Sequence, residues 1–264
     1  MYQLKPDPIR TTRSIAIANH KGGAAKTTTA VNLAAGLAKR GRRVMLLDLD
    51  PQGNASSWLG GEGEASVFSV LTEGRSVDSQ LTKSSVEGLT LVPASQRLVG
   101  ADRILAGEMA AETTLKRRLA ESDLRNWDYV ILDTPPALNL LTINALTAAD
   151  EVLVPVEAHV LALSGVAQIV STIELVQSRL NPQLKIAGFL LSRFDPRTRH
   201  SAEVRDRLKA KFGDRVLNTI IRENIRLAEA PSFCEPIETY APASQGAADY
   251  GALCEEILAM ENSR

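Results

Sequence analysis

Cysteine, net charge and long apolar runs are what this 264-residue chain has least of. Its two cysteines, Cys234 and Cys254, stand far from any C-x-x-C spacing, so the chain reads as that of a reduced, cytoplasmic protein and not as a disulfide scaffold. No apolar run is long enough to cross a bilayer, and Met1 to Arg13 is polar with two prolines, unlike a signal peptide. The expectation is a soluble protein with no membrane contact. No Pro/Gly/Ser-rich stretch divides the chain, which predicts one domain over 14–264 behind a flexible segment, 1–13. The net charge of −1 argues, taken alone, against a nucleic-acid binder.

A further absence is more telling. A standard phosphate loop, G-x-x-x-x-G-K-[ST], needs glycine at positions 20 and 25, and the chain has His20 and Ala25. What fits is the variant K-G-G-x-x-K-T, carried by Lys21, Gly22, Gly23, Ala24, Ala25, Lys26, Thr27 and Thr28. Lys26 suits the β- and γ-phosphates, the Thr27 hydroxyl suits Mg²⁺, and the loop amides point at phosphate oxygens. The context agrees: Ser14 to Asn19 is a short buried-strand run, and Thr29 to Lys39 carries apolar residues at helical spacing until Gly41 closes it. Lys21 is left over. It is either a solvated surface lysine, the usual fate of that residue, or an additional cation for phosphate.

Further strand-like runs fall at Val44–Leu47, Leu89–Val92, Tyr129–Leu132, Val152–Val154, Ile186–Leu191 and Val216–Ile221, separated by helical patterns. The alternation predicts an α/β fold, a twisted and mostly parallel sheet with helices on both faces and ligands at the carboxyl ends of its strands. Two of those ends carry acids. In Asp48-Leu49-Asp50-Pro51 the period of two sets both carboxylates on one side, where one can serve Mg²⁺ through water and the other can orient the attacking water. The alternative is a turn former ahead of Pro51. Tyr129 to Asp133 is an apolar strand ending in an acid that approaches the metal.

The charge is unevenly spread. Between Lys185 and Arg226 there are eleven Lys/Arg against five Asp/Glu, so a basic segment sits in an otherwise acidic chain and is a candidate electrostatic footprint for nucleic acid. Within it a helix is expected with Ser201 as N-cap and Val204, Leu208 and Phe212 inward, leaving Arg205, Lys209 and Lys211 on outer or flanking faces. A solvated helix face, with pairs such as Glu203 and Arg207, accounts for some of that charge.

Together the Lys21–Thr28 loop, the Asp48–Asn54 run, Asp133-Thr134-Pro135-Pro136 and the Asn224–Ser232 run resemble the ParA/Soj partition ATPases, over about Arg13 to Met260. The resemblance implies a single-domain P-loop NTPase whose homodimer sandwiches two ATP molecules. Lys21 would cross to the partner's phosphates, Lys26 and Thr27 would hold phosphate and Mg²⁺ in their own subunit, Asp50 would position the hydrolytic water, and Asp48 and Asp133 would serve the metal. A lysine delivered in trans acts as an arginine finger does, and it couples ATP binding to dimerisation. Arg222 and Asn224 would lie near adenine. Arg197 and Arg226, with Arg199, Arg205 and Lys209 on the same basic surface, would bind double-stranded DNA nonspecifically, through phosphates and without base readout. The implied partner is a ParB-like adaptor that stimulates hydrolysis, and the implied location is the nucleoid.

The chain departs from the family pattern at Ala25, where glycine is usual and where alanine is compatible with a negative φ, and at Arg222-Glu223 ahead of Asn224. Rival readings share the loop. A membrane-cycling division-site ATPase resembling MinD would need a basic amphipathic C-terminal helix, and Leu253 to Arg264 is acidic. A metal-cluster carrier would need paired interface cysteines, and a module that holds ATP without turnover has no use for Asp50. Protein cargoes such as chemoreceptor arrays or carboxysomes are alternatives to chromosome or plasmid. Only about a dozen residues precede the first strand, which leaves no room for an N-terminal helix-turn-helix domain.

Overall fold

The computed structural model describes residues 12–61, 63–159 and 162–263. Apart from Thr12 and Arg13, the segment expected to be flexible lies outside the described residues. Eight strands form one sheet: β1 (Arg13–Ile17), β2 (Val44–Asp48), β3 (Thr82–Lys83), β4 (Leu89–Val92), β5 (Tyr129–Asp133), β6 (Glu151–Glu157), β7 (Lys185–Phe194) and β8 (Val216–Arg222). Their order is β3-β4-β2-β5-β1-β6-β7-β8. All neighbours are parallel except β3 against β4. The two-residue β3 carries no sequence signal of its own and goes beyond the expected strands.

A parallel sheet is covered on both faces, so its central strands read as unbroken apolar runs. Strand β1 is buried along its whole length, and alternation divides it: Ile15 and Ile17 join one core, Ala16 and Ala18 the other. The first core takes in the Lys26–Lys39 and Gln245–Ala259 helices. Those two helices meet closely at Gly36, where an added Cβ would come within 2.4 Å of Cys254 Sγ. The second core takes in the helices Leu140–Ala148, Ala162–Arg179 and Arg199–Phe212.

The expected helices form, with shifted starts. The loop runs straight into its helix at Lys26 instead of Thr29, because Thr27 and Thr28 interrupt the apolar period but not the backbone geometry. Gly41, at φ +77°, closes it. Ser201 is not an N-cap. Thr198 takes that position in the extended region and accepts from the Ser201 amide at 3.3 Å, so the helix begins at Arg199 and Ser201 is buried in its first turn. Val204 and Leu208 face inward as expected, and Phe212 stacks on Phe189 with ring centroids 4.2 Å apart.

In the strand order, β1 sends its connection toward β2 on one side while β6 opens the other half. The β1/β6 boundary is therefore the topological switch point, where an open α/β sheet binds its ligand.

Candidate functional site

The loop leaving β1 is tied down before it curls. Ala18 N donates to Leu153 O at 3.2 Å, Asn19 Nδ2 to Pro155 O at 2.6 Å, and Lys21 N to Asn19 Oδ1 at 3.2 Å. Thr134 Oγ1 donates to Ile17 O from the β5 side, and Ser192 Oγ to Ala24 O from β7. These anchors bury Ala24 and turn the rest of the loop outward.

Gly23 takes φ +77° and Ala25 takes φ +64°. Ala25 thus lies outside the negative φ that alanine tolerates easily. Ala25 caps the helix in the left-handed region, a conformation that costs an L-residue about 1–2 kcal/mol and that glycine adopts freely.

A cavity of about 1180 Å³ opens over the loop. Gly22, Gly23, Ala25, Lys26, Thr27 and Thr28 line it, as do Asp50, Arg222 and Asn224. Lys26 is buried, with Nζ donating to Lys21 O at 3.2 Å. Desolvation draws its pKa down, against the raising pull of Asp133 and Asp50.

The structure divides the three carboxylates. Asp48 and Asp133 are register partners on β2 and β5 and both are fully buried. Asp48 is spoken for: its Oδ2 accepts from Ser56 N at 2.8 Å and Ser56 Oγ at 2.7 Å, and its Oδ1 from Asp50 N at 3.1 Å. It does not line the cavity; it pins the turn to the short Asn54–Trp58 helix, as the turn-former alternative supposes. Burial pushes its pKa up to about 6 despite those bonds. Both oxygens of Asp133 have no hydrogen-bond partner. Burial first, then the Asp48 carboxylate, raises its pKa well above the usual range, while the Thr27 hydroxyl and Lys26 oppose the rise. Asp50 borders the cavity with Oδ1 turned by the Gln52 amide at 3.0 Å, so its other oxygen is open to a ligand.

Two orphaned carboxylate oxygens beside a threonine hydroxyl and a phosphate loop are a fit for a hydrated divalent cation. Among the described residues no cluster of three or more His, Cys, Asp or Glu forms a metal cage. That suits Mg²⁺, which keeps several waters and is held by one or two side chains together with substrate phosphates.

At the opposite rim the basic residues are largely paired. Arg197 lines the cavity and grips Asp195 with two bonds of 2.9 Å. Arg226 pairs with Glu229 at 2.8 Å, beside cavity-lining Ile225 and Leu227. Arg205 pairs with Asp206, and Arg207 with Glu203 as expected on a solvated face. Arg199 and Lys209 are exposed. Asn224 caps the Ile225–Glu229 helix, and the Arg222 amide donates to Asp249 Oδ2 at 2.9 Å. Lys21 does not line the cavity. Its Nζ sits 2.5 Å from Glu157 Oε2. Neither Glu157 nor Ser56 is legible in the sequence as a site residue, since each acts through a contact made across strands.

A parallel sheet whose central strand feeds a two-lysine phosphate loop, with unpartnered acid at the neighbouring strand end, defines a P-loop nucleotide hydrolase of the deviant Walker A class. The sequence pattern of the AAA domain family (AAA_31) matches residues 12–186. Among curated relatives, the Bacillus subtilis sporulation initiation inhibitor protein Soj is 46% identical over 248 residues, spanning 93% of this chain and 98% of that protein. The Thermus thermophilus chromosome-partitioning ATPase Soj is 48% identical, spanning 94% of this chain and 96% of that protein. Among solved structures, a Mycobacterium smegmatis cobyrinic acid a,c-diamide synthase with bound ATP analogue and magnesium superimposes with a TM-score of 0.84 at 38% identity, over 96% of this chain and 97% of that one. This chain belongs to the ParA/Soj family of partition ATPases and is an ATPase using ATP and Mg²⁺.

Proposed function

We propose that residues 14–264 act as one ATP-driven switch domain for chromosome or plasmid partition, whose ATP-bound homodimer binds double-stranded DNA nonspecifically and leaves it after hydrolysis. One observation carries the residue assignments: Lys26, Thr27 and Asp50 converge on the cavity that covers the loop, with the unpartnered Asp133 carboxylate beneath.

In this reading Lys26 leaves the Lys21 carbonyl and gives its ammonium to the β- and γ-phosphates of ATP. The amides of Gly22, Gly23, Ala24 and Ala25 donate to phosphate oxygens at the start of the Lys26–Lys39 helix, where the helix dipole adds to them. Thr27 would hold Mg²⁺ through its hydroxyl, with Asp133 ordering the surrounding waters, and the ion would supply charge neutralisation on the phosphates. Asp48 holds the turn that presents Asp50. The open oxygen of Asp50 orients the attacking water and accepts its proton. Lys21 reaches the partner subunit's phosphates, where charge builds in the transition state. Arg222 and Asn224 border the base.

Arg197 and Arg226 exchange Asp195 and Glu229 for DNA phosphates, and Arg199, Arg205 and Lys209 extend the contact. Solvent-screened pairs of this kind cost little to break. Dimerisation doubles the surface, so DNA affinity follows ATP. A ParB-like adaptor accelerates hydrolysis, and the protein collects on the nucleoid in the cytoplasm. Support for the soluble reading is that, among the described residues, no helix is long and apolar enough to cross a membrane.

The test is DNA binding at matched low salt with a nonhydrolysable ATP analogue. Retention by the wild type with analogue but not with ADP is expected, and equal binding in both nucleotide states overturns the reading.

A further inference from the structure

Glu157 ends β6, and two cations meet its carboxylate. Lys21 Nζ lies 2.5 Å from its Oε2, Arg193 Nη1 lies 3.5 Å from its Oε1, and the other arm of Arg193 lies 3.7 Å from Glu223. The carboxylate side chain is 18% exposed, whereas Lys21 is 36% and Arg193 53% exposed. Arg193 holds φ +50°, in the left-handed region that disfavours a bulky residue. It directly follows Ser192, the register partner of Glu157 on β7. Backbone strain at a charged residue on the cavity wall is the kind of cost that persists where it serves a site.

The Lys21 main chain is fixed through Asn19 to β6, so only its side chain is able to swing. While paired to Glu157, the ammonium is engaged on β6, and Lys21 does not line the cavity.

We propose that Glu157 is a latch that parks Lys21 within its own subunit until a second copy of this chain offers phosphate, and that Arg193 sets the latch's strength by competing for the same carboxylate. The inference rests on the reading that Lys21 acts in trans. In the free subunit the pair holds Lys21 on its own β6, and that pair must break before the lysine can cross to the partner's nucleotide. On dimerisation each subunit breaks one Lys21–Glu157 pair. Arg193 then remains on Glu157, so the half-buried carboxylate is not left unpaired and the release is easier. The two side chains therefore act in opposite directions, which a merely structural role would not produce.

Sedimentation velocity with Mg²⁺ and a nonhydrolysable ATP analogue measures the dimerisation midpoint, and a fluorescent ATP analogue at nanomolar protein measures nucleotide affinity of the monomer. Glu157→Gln is expected to dimerise at about three- to tenfold lower concentration, since two half-exposed ion pairs no longer oppose each association. Arg193→Met is expected to need about two- to threefold higher concentration, and the double variant to match Glu157→Gln. Monomer nucleotide affinity should stay constant in Glu157→Gln. A Glu157→Gln midpoint at or above wild type, or a rise in monomer affinity by the same factor as dimerisation, overturns the latch. A double variant weaker than Glu157→Gln overturns the role given to Arg193. Lys21→Ala separates the two readings: dimerisation as in wild type overturns the trans lysine together with the latch. Abolished dimerisation in Lys21→Ala beside a neutral Glu157→Gln overturns the latch alone.

Discussion

The carboxyl edge of the sheet has two halves built on opposite electrostatic plans. On the β1, β2 and β5 side, Lys26, Asp48, Asp50 and Asp133 are buried, and the Asp133 carboxylate has no close hydrogen bond, only the nearby Thr27 hydroxyl and Lys26. On the β6, β7 and β8 side, arginines at 193, 197, 222 and 226 are exposed and each faces a carboxylate. Buried charge is strongly coupled to whatever replaces water around it, whereas exposed pairs are screened and exchange partners at small cost. The first half is suited to fixed chemistry on phosphate. The second is suited to contacts made and released in each cycle.

Substitutions separate the halves. The largest effect is expected from Asp50→Ala, where loss of the water-orienting carboxylate should lower kcat by about 10²–10⁴-fold while the nucleotide-dependent dimer persists. Single-turnover hydrolysis alongside sedimentation checks this, and unchanged kcat breaks the assignment. Lys26→Ala should lower hydrolysis by about 10²–10³-fold and weaken nucleotide binding as well, a joint loss that titration with a fluorescent ATP analogue reads directly.

On the other half, Arg197→Glu with Arg226→Glu should leave monomer nucleotide affinity intact and cut DNA affinity about tenfold or more. It should also make the slope of log K against log[salt] shallower by about 0.9 for each DNA phosphate no longer neutralised. DNA affinity equal to wild type would remove those arginines from the DNA surface and blur the division. The smallest effect belongs to Ala25→Gly. Relief of the left-handed alanine, less the backbone entropy of glycine, should stabilise the fold by about 1 kcal/mol, raising Tm by about 2–4 °C. Calorimetry checks it, and a fall in Tm would show that the strain at φ +64° is offset elsewhere.

Much of the fold is legible in the sequence because its signals are local. The loop glycines, the apolar strand runs and the acid at the end of β5 lie within short windows, and the Soj relatives and the matching domain family agree with the fold they imply. Element starts are less legible. Thr198 and Ser201 are both sound capping residues, and only the course of the backbone chooses between them. The period of two puts Asp48 and Asp50 on one side, yet the turn after β2 buries one and leaves the other at the cavity. The sequence leaves the φ of Ala25 open, since side-chain identity does not report the dihedral that a helix entry imposes.

By itself the sequence determined seven of the eight strands, the phosphate loop and the family, because each is written in residues close along the chain. The tertiary structure alone decided which acid remained unpartnered and where Lys21 rests. Lys21 and Glu157 are 136 positions apart and meet because the strand order sets β6 beside β1, and a side-chain contact of that span exists only once the crossovers have placed the two strand ends together.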